Sequence, residues 1–110
     1  RLKRMISVSG YKVWPAEVEN LMYRHPAVRE ACVVGVPDRE KGERVEAVLV
    51  IDPAYRERLD EAAMIEWARS EMAVYKAPRA VSFVDELPKS AAGKILWRHV
   101  QEEYAARGAQ

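Results

Sequence analysis

Apolar and polar positions along the chain change their period several times, and each change marks an element. Residues 5–8 and 11–13 are short strand-forming arms on either side of Ser9-Gly10, the pattern of a hairpin. Pro15 pre-sets φ for a first helical position, and Glu17 and Glu19 suit the positive end of a helix dipole. Val18, Leu21 and Met22 follow at i, i+3 and i+4 as one apolar stripe, and Pro26 closes that helix. Residues 28–36 are β-branched and mostly apolar, 37–43 are a charged, glycine-containing loop, and 45–51 are a second apolar run. The two runs are expected to pair as a hairpin. Their near-continuous hydrophobicity marks central strands covered at least partly on both faces. Asp60 can cap a helix over 61–73, where Met64, Trp67 and Ala68 repeat at helical spacing. Trp67 reads as core because of the area an indole buries. Tyr75-Lys76-Ala77-Pro78-Arg79 connects to a third strand at 80–84, and residues 95–104 form a last helix with Leu96, Val100 and Tyr104 on one face. The pattern predicts an α+β domain. Its small mixed or antiparallel sheet has about three main strands, with helices packed on one side, plus the N-terminal β-hairpin.

A length of 110 residues fits one small domain with a single core. Eighteen basic residues against 17 acidic ones leave a net charge of +1, with no broad field to attract nucleic acid or an anionic membrane. A hydrophobic content of 49% is ordinary for a globular protein and too high for a disordered tail. No apolar run approaches the ~20 residues of a transmembrane helix, and there is no signal-peptide pattern. The single cysteine, Cys32, excludes an internal disulfide and suits a reducing, cytoplasmic compartment; its place in an apolar run makes it buried filler. The chain begins at Arg1, without methionine, on the approach to a strand, so it reads as one domain, residues 1–110, cut from something longer.

The stretch with candidate chemistry runs from Leu87 to Ile95. Pro88 ends the preceding strand because it cannot donate to a ladder. Ser90-Ala91-Ala92-Gly93 has so little side-chain bulk that its backbone can approach another surface closely. Lys94 then stands at the lip of the last helix, a compact charge on a flexible stem. By spacing alone it is an ordinary solvated lysine.

Pro88-Lys89-Ser90-Ala91-Ala92-Gly93-Lys94-Ile95 resembles the last signature of the adenylate-forming superfamily, Pro-Lys-Thr/Ser-x-x-Gly-Lys-Ile. Arg1-Leu2-Lys3-Arg4-Met5-Ile6 and Ser9-Gly10-Tyr11-Lys12-Val13-Trp14-Pro15-Ala16-Glu17-Val18-Glu19 resemble a second one. That signature begins Gly-Arg-x-Lys/Asp and continues through Ser-Gly-x-x-Val-x-Pro-x-Glu-Ile/Val-Glu. Two motifs near opposite ends, in the right order, make chance a poor explanation. The chain is identified as similar to the C-terminal domain of AMP-forming acyl-CoA synthetases of the fatty-acid-ligase type, severed at its hinge.

The resemblance implies two half-reactions in the whole enzyme. A carboxylate attacks the α-phosphate of ATP to give acyl-adenylate and pyrophosphate, with Mg2+ present, and the thiol of CoA then displaces AMP. It implies that Lys94 is the catalytic lysine of adenylation and that Lys3 is the hinge about which the small domain rotates between steps. Arg1 matches an arginine on the nucleotide ribose. Ser9 and Gly10 fall on the face presented to pantetheine, and Tyr75 and Arg79 fall where relatives contact the CoA nucleotide. The loop at 38–43 is a further contact, and Arg69 a weaker phosphate candidate. Glu17 and Glu19 are assigned to the helix start and domain packing. The partners implied are the missing N-terminal domain, CoA and a fatty or other carboxylic acid; the piece alone is expected to be inactive. Trp97-Arg98 stands where relatives often carry two arginines, which puts a tryptophan at the expected interface with the missing domain. Two alternatives stay open. One is another adenylate-forming enzyme (aryl-CoA ligase, peptide adenylation domain or luciferase-like); the other is a non-enzymatic α+β binding module.

Overall fold

The computed structural model describes residues 4–108. The chain opens with a tight hairpin, β1 (Ile6–Val8) and β2 (Tyr11–Val13), in register Ile6 with Val13 and Val8 with Tyr11. Its turn has both central residues at positive φ, Ser9 at 52° and Gly10 at 87°, the conformation that matches strand twist in a two-residue loop. Helix α1 (Pro15–Met22) starts on its proline and buries Val18 and Met22, as the stripe predicts.

β3 (Val28–Asp38) and β4 (Gly42–Ile51) form the long antiparallel pair at the centre. The ladder runs out to Asp38 opposite Gly42, so the connection is only residues 39–41 rather than the longer loop expected from composition. The Asp38 carboxylate closes that turn, accepting from the Glu40 and Lys41 amides at 2.9 and 3.0 Å. A 3-10 turn (Pro53–Tyr55) leads to α2 (Glu61–Glu71), where Asp60 Oδ1 accepts from the Ala63 amide at 2.8 Å. β5 (Ala80–Phe83) lies parallel to β4, from Glu46 with Ala80 to Leu49 with Phe83. The last helix, α3 (Trp97–Gly108), begins two residues later than the pattern suggests, because Ile95 is engaged in a bridge with Lys89.

The sheet is therefore mixed, in the order β2-β1-β4-β3, with β5 also on β4. β1 meets β4 only at Val8 with Gly42, and β5 takes up the same edge further along.

Both faces of β3 and β4 are apolar, and both are covered. On one face Ala31, Val33, Ala47, Leu49 and Ile51 pack with Val18 and Met22 of α1 and with Met64 and Ala68 of α2. On the other, Cys32, Val34, Val36 and Val48 pack with Leu87 and with Val100 and Tyr104 of α3. The expectation of helices on one side is thus corrected. Successive strand residues point to opposite faces, so an unbroken apolar run needs cover on each. No helix among the described residues is long and apolar enough to cross a membrane.

The free edge of β3 is closed by side chains. The Ala31 amide donates to the Tyr23 hydroxyl at 3.0 Å, and the Val33 amide donates to Glu19 Oε2 at 2.8 Å. The Val33 carbonyl accepts from Arg4 Nη2 at 3.1 Å. The Gly35 amide donates to Gln101 Oε1 at 3.1 Å, and the Gly35 carbonyl accepts from Gln101 Nε2.

Candidate functional site

The segment after β5 is built as an arm. Leu87 is buried in the α3-side core and anchors its start, and the Pro88 carbonyl accepts from the Leu96 amide at 2.8 Å. Lys89 and Ile95 bridge in antiparallel fashion, and beyond them the chain folds back on itself. The Ser90 amide donates to the Lys94 carbonyl at 2.8 Å, and the Gly93 amide donates to the Ser90 carbonyl at 2.9 Å. Ser90 Oγ accepts from the Lys94 amide at 3.3 Å. Gly93 sits at φ 85°, with open space where a Cβ would stand, so the turn needs glycine for its backbone and not for room. Residues 91–94 are all exposed at the tip. Lys94 makes no ion pair among the described residues, whereas Lys89 at the root is held by Glu30 at 2.7 Å. A shallow cleft of about 420 Å³, lined by Ser90, Leu96, Trp97 and His99 among others, runs beside the lysine. The arrangement offers an exposed cation on a preformed, slender tip.

Residues expected to meet CoA come together elsewhere. Ser9, Arg69, Tyr75 and Arg79 line one cleft of about 600 Å³, and Gly10 follows Ser9 at its rim. The hairpin tip is pinned there by the Ser9 amide, which donates to the Lys41 carbonyl at 2.8 Å. The connector carrying Tyr75 is fixed by Lys76, whose ammonium reaches Glu17 at 2.7 Å; that bond raises the lysine's pKa above its ordinary value. Arg79 is tied to β4 through its own amide, 2.8 Å from the Val45 carbonyl. Arg69, Arg79 and Lys41 surround a wall formed by Tyr75, an arrangement suited to a flat ring and phosphate charges. The Asp38 carboxyl is held below the usual range, first by the Glu40 and Lys41 amides and further by the charges of Arg44 and Arg79.

Tyr11, a member of this cleft, escapes a reading of the sequence. Tyr11 stacks on Tyr75 with ring centroids 4.4 Å apart and remains 55% exposed. The hairpin register puts Tyr11 beside the turn, but no sequence signal links it to Tyr75 across the intervening residues. Lys41 falls within the loop singled out at 38–43 and is the residue of it that lines the cleft.

The two regions belong to opposite faces of the sheet. Tyr75 packs on the core beneath α1 and α2, and Ile95 and Trp97 pack on the core beneath α3. Trp97 is half-buried, with the guanidinium carbons of Arg4 and Arg98 at 5.1 and 5.6 Å from its ring centre. Glu17 and Glu19 serve packing as expected, through Lys76 and through Arg4 and Val33. Arg1 and Lys3 lie outside the described residues. Among those described, no group of three or more His, Cys, Asp or Glu side chains could hold a metal ion.

A family model described as AMP-binding enzyme C-terminal domain matches residues 17–94. A feruloyl-CoA synthase from an Amycolatopsis species is 43% identical over 104 residues, 94% of this chain and 21% of that protein. A long-chain-fatty-acid–CoA ligase of Bacillus subtilis (strain 168) is 44% identical over 103 residues, 94% of this chain and 18% of the ligase. Among solved structures, a fatty acyl CoA synthetase of Mycobacterium tuberculosis superposes with a TM-score of 0.86 at 36% identity, covering 97% of this chain and 21% of that one. The chain thus spans about a fifth of the length of the proteins that it matches.

Proposed function

The chain belongs to the AMP-binding enzyme C-terminal domain family, and from that premise we propose that it is the small, rotating domain of an AMP-forming acyl-CoA synthetase. The observation that carries this reading is the opposition of two surfaces across one sheet, a lysine arm on one and a cationic, aromatic cleft on the other. In the first half-reaction the arm enters the active site of the larger domain. A carboxylate oxygen bonds to the α-phosphorus of ATP while the bond to pyrophosphate breaks. Negative charge gathers on the α-phosphate oxygens, and the Lys94 ammonium offsets it in a closed pocket. Donors of this kind are worth about 3–4 kcal/mol.

The arm then blocks the path of a thiol, so the domain must turn. Rotation about Lys3 withdraws Lys94 and presents the cleft. CoA sulfur bonds to the acyl carbon, and the carbon–oxygen bond to AMP breaks. The CoA nucleotide rests against Tyr75, its phosphates reach Arg79, Arg69 and Lys41, and pantetheine passes Ser9 and Gly10. Arg1 contacts the nucleotide ribose. ATP and CoA are substrates. Mg2+ accompanies ATP in the full-length enzyme in this reading.

The acid substrate is a fatty acid in this reading, supported by the M. tuberculosis synthetase's fit. The feruloyl-CoA synthase matches as well as the long-chain ligase, so an aryl acid is the alternative outcome of a substrate screen. The single buried cysteine supports a cytoplasmic setting.

In the full-length protein, Lys94→Ala should lower pyrophosphate release a hundredfold or more yet leave thioester formation from supplied acyl-adenylate within about twofold. Arg79→Ala should do the reverse, raising the KM for CoA with adenylation intact. Equal damage to both half-reactions by either variant contradicts the two-surface reading.

A further inference from the structure

We infer that Arg4 is a positioning residue, a clasp that ties the chain just after the hinge to the root of the Lys94 arm. Its side chain is largely covered and bonds in three directions. Nη2 lies 2.6 Å from Glu19 Oε2 on α1 and 3.1 Å from the Val33 carbonyl on β3. The guanidinium carbon stands 5.1 Å from the centre of the Trp97 ring at the start of α3. Glu19 in turn accepts the Val33 amide at 2.8 Å, so arginine, carboxylate and strand edge form one closed group.

Trp97 begins the helix three residues after Lys94, and it packs with Ile95 on the α3-side core. Arg4 follows Lys3 directly. A link therefore crosses from Arg4, by way of the β3 edge, to the base of the arm. Without it, the segment before β1 would peel from α1 and α3. Rotation would then be shared over several residues instead of being confined to those before Arg4. A misplacement of about 1 Å in a reacting group can cost a hundredfold in rate, so a loosened pivot falls hardest on the step that needs Lys94 in place. Lysine is a poor substitute, because its compact, strongly hydrated ammonium lacks the planar fork with which arginine spans a carboxylate, a carbonyl and an aromatic ring at once.

The clasp rests on the hinge and two-surface reading above, and the test separates the two. In the full-length enzyme, Arg4→Met and Trp97→Leu remove the clasp from opposite ends. Each should slow single-turnover adenylation at least tenfold and leave thioester formation from supplied acyl-adenylate within twofold. In the 110-residue chain, Arg4→Met should speed amide hydrogen exchange at residues 4–8 and spare the β3–β4 ladder. If the wild type runs both half-reactions and both variants match it within twofold, the clasp is overturned and the two-surface reading stands. Parallel loss of both half-reactions, or exchange rising across the whole sheet, would also overturn it, since that marks a purely structural role. A wild type that forms no adenylate overturns both readings.

Discussion

Single residues set the behaviour of the arm and of the α1–β3 junction. Gly93 at φ 85° adopts a backbone that costs an L-residue about 1–2 kcal/mol. Gly93→Ala in the full-length protein should therefore deform the tip and slow adenylation, with little change in thermal midpoint because the tip packs on nothing. A variant with wild-type adenylation would show that the tip's shape is irrelevant. His25 couples the junction to pH. Its Nδ1 accepts from the Ala27 amide at 3.0 Å, and its ring meets Trp67 edge-on at 4.9 Å, so the neutral form is the one that fits. Burial lowers its pKa below the ordinary 6.5. The unfolded chain thus binds this proton first. The histidine's contribution to stability is complete above about pH 6.5 and is lost as pH falls through the window down to the folded pKa. Urea unfolding at pH 7.5 and 5.5 should show that loss in the wild type, and His25→Asn should remove part of it. An equal pH dependence in the two proteins would refute the assignment. Cys32 takes no part in chemistry: burial, with the nearby Glu19 charge, pushes its thiol up to about 12, leaving no thiolate at neutral pH.

Among the elements, β3 explains how an exposed sheet edge stays monomer-compatible. Its three outward-facing residues, Ala31, Val33 and Gly35, give their hydrogen bonds to Tyr23, Glu19 with Arg4, and Gln101. Side-chain caps of this sort block pairing with another chain. Gln101→Ala strands the Gly35 amide and carbonyl, and should cost about 1–3 kcal/mol in urea unfolding and promote self-association. An unchanged midpoint would mean that water replaces the amide without loss. Element by element, the alternation of the sequence was a good guide to β1, β2, β3, β4, α1 and α2, since each has a clear period and a turn or cap at its ends. It did not disclose that β5 runs parallel to β4, or that α3 crosses to the face opposite α1 and α2. Those choices depend on where the chain re-enters the sheet, and the apolar run of Val33 and Val34 looks alike from either face.

At the scale of the molecule, the two candidate surfaces were legible unequally. The Lys94 arm and the candidate residues Ser9, Tyr75 and Arg79 were singled out by the family resemblance and not by spacing, with Arg69 a weaker candidate on the helix before. Tyr11 against Tyr75, and Arg4 against Trp97, could not be read from the chain, since both pairs form only when distant segments meet on the folded sheet. What the fold adds is their separation. One cation and one cleft stand on opposite faces of the sheet, and in the proposed function a single rotation exchanges them. The measurement that tests this most directly is a crystal structure of the full-length protein with a non-hydrolysable acyl-adenylate analogue bound. It should place Lys94 Nζ within about 3 Å of an α-phosphate oxygen, with the Tyr75 cleft turned away. An arm lying in solvent, in that complex and in every other state captured, would contradict the account.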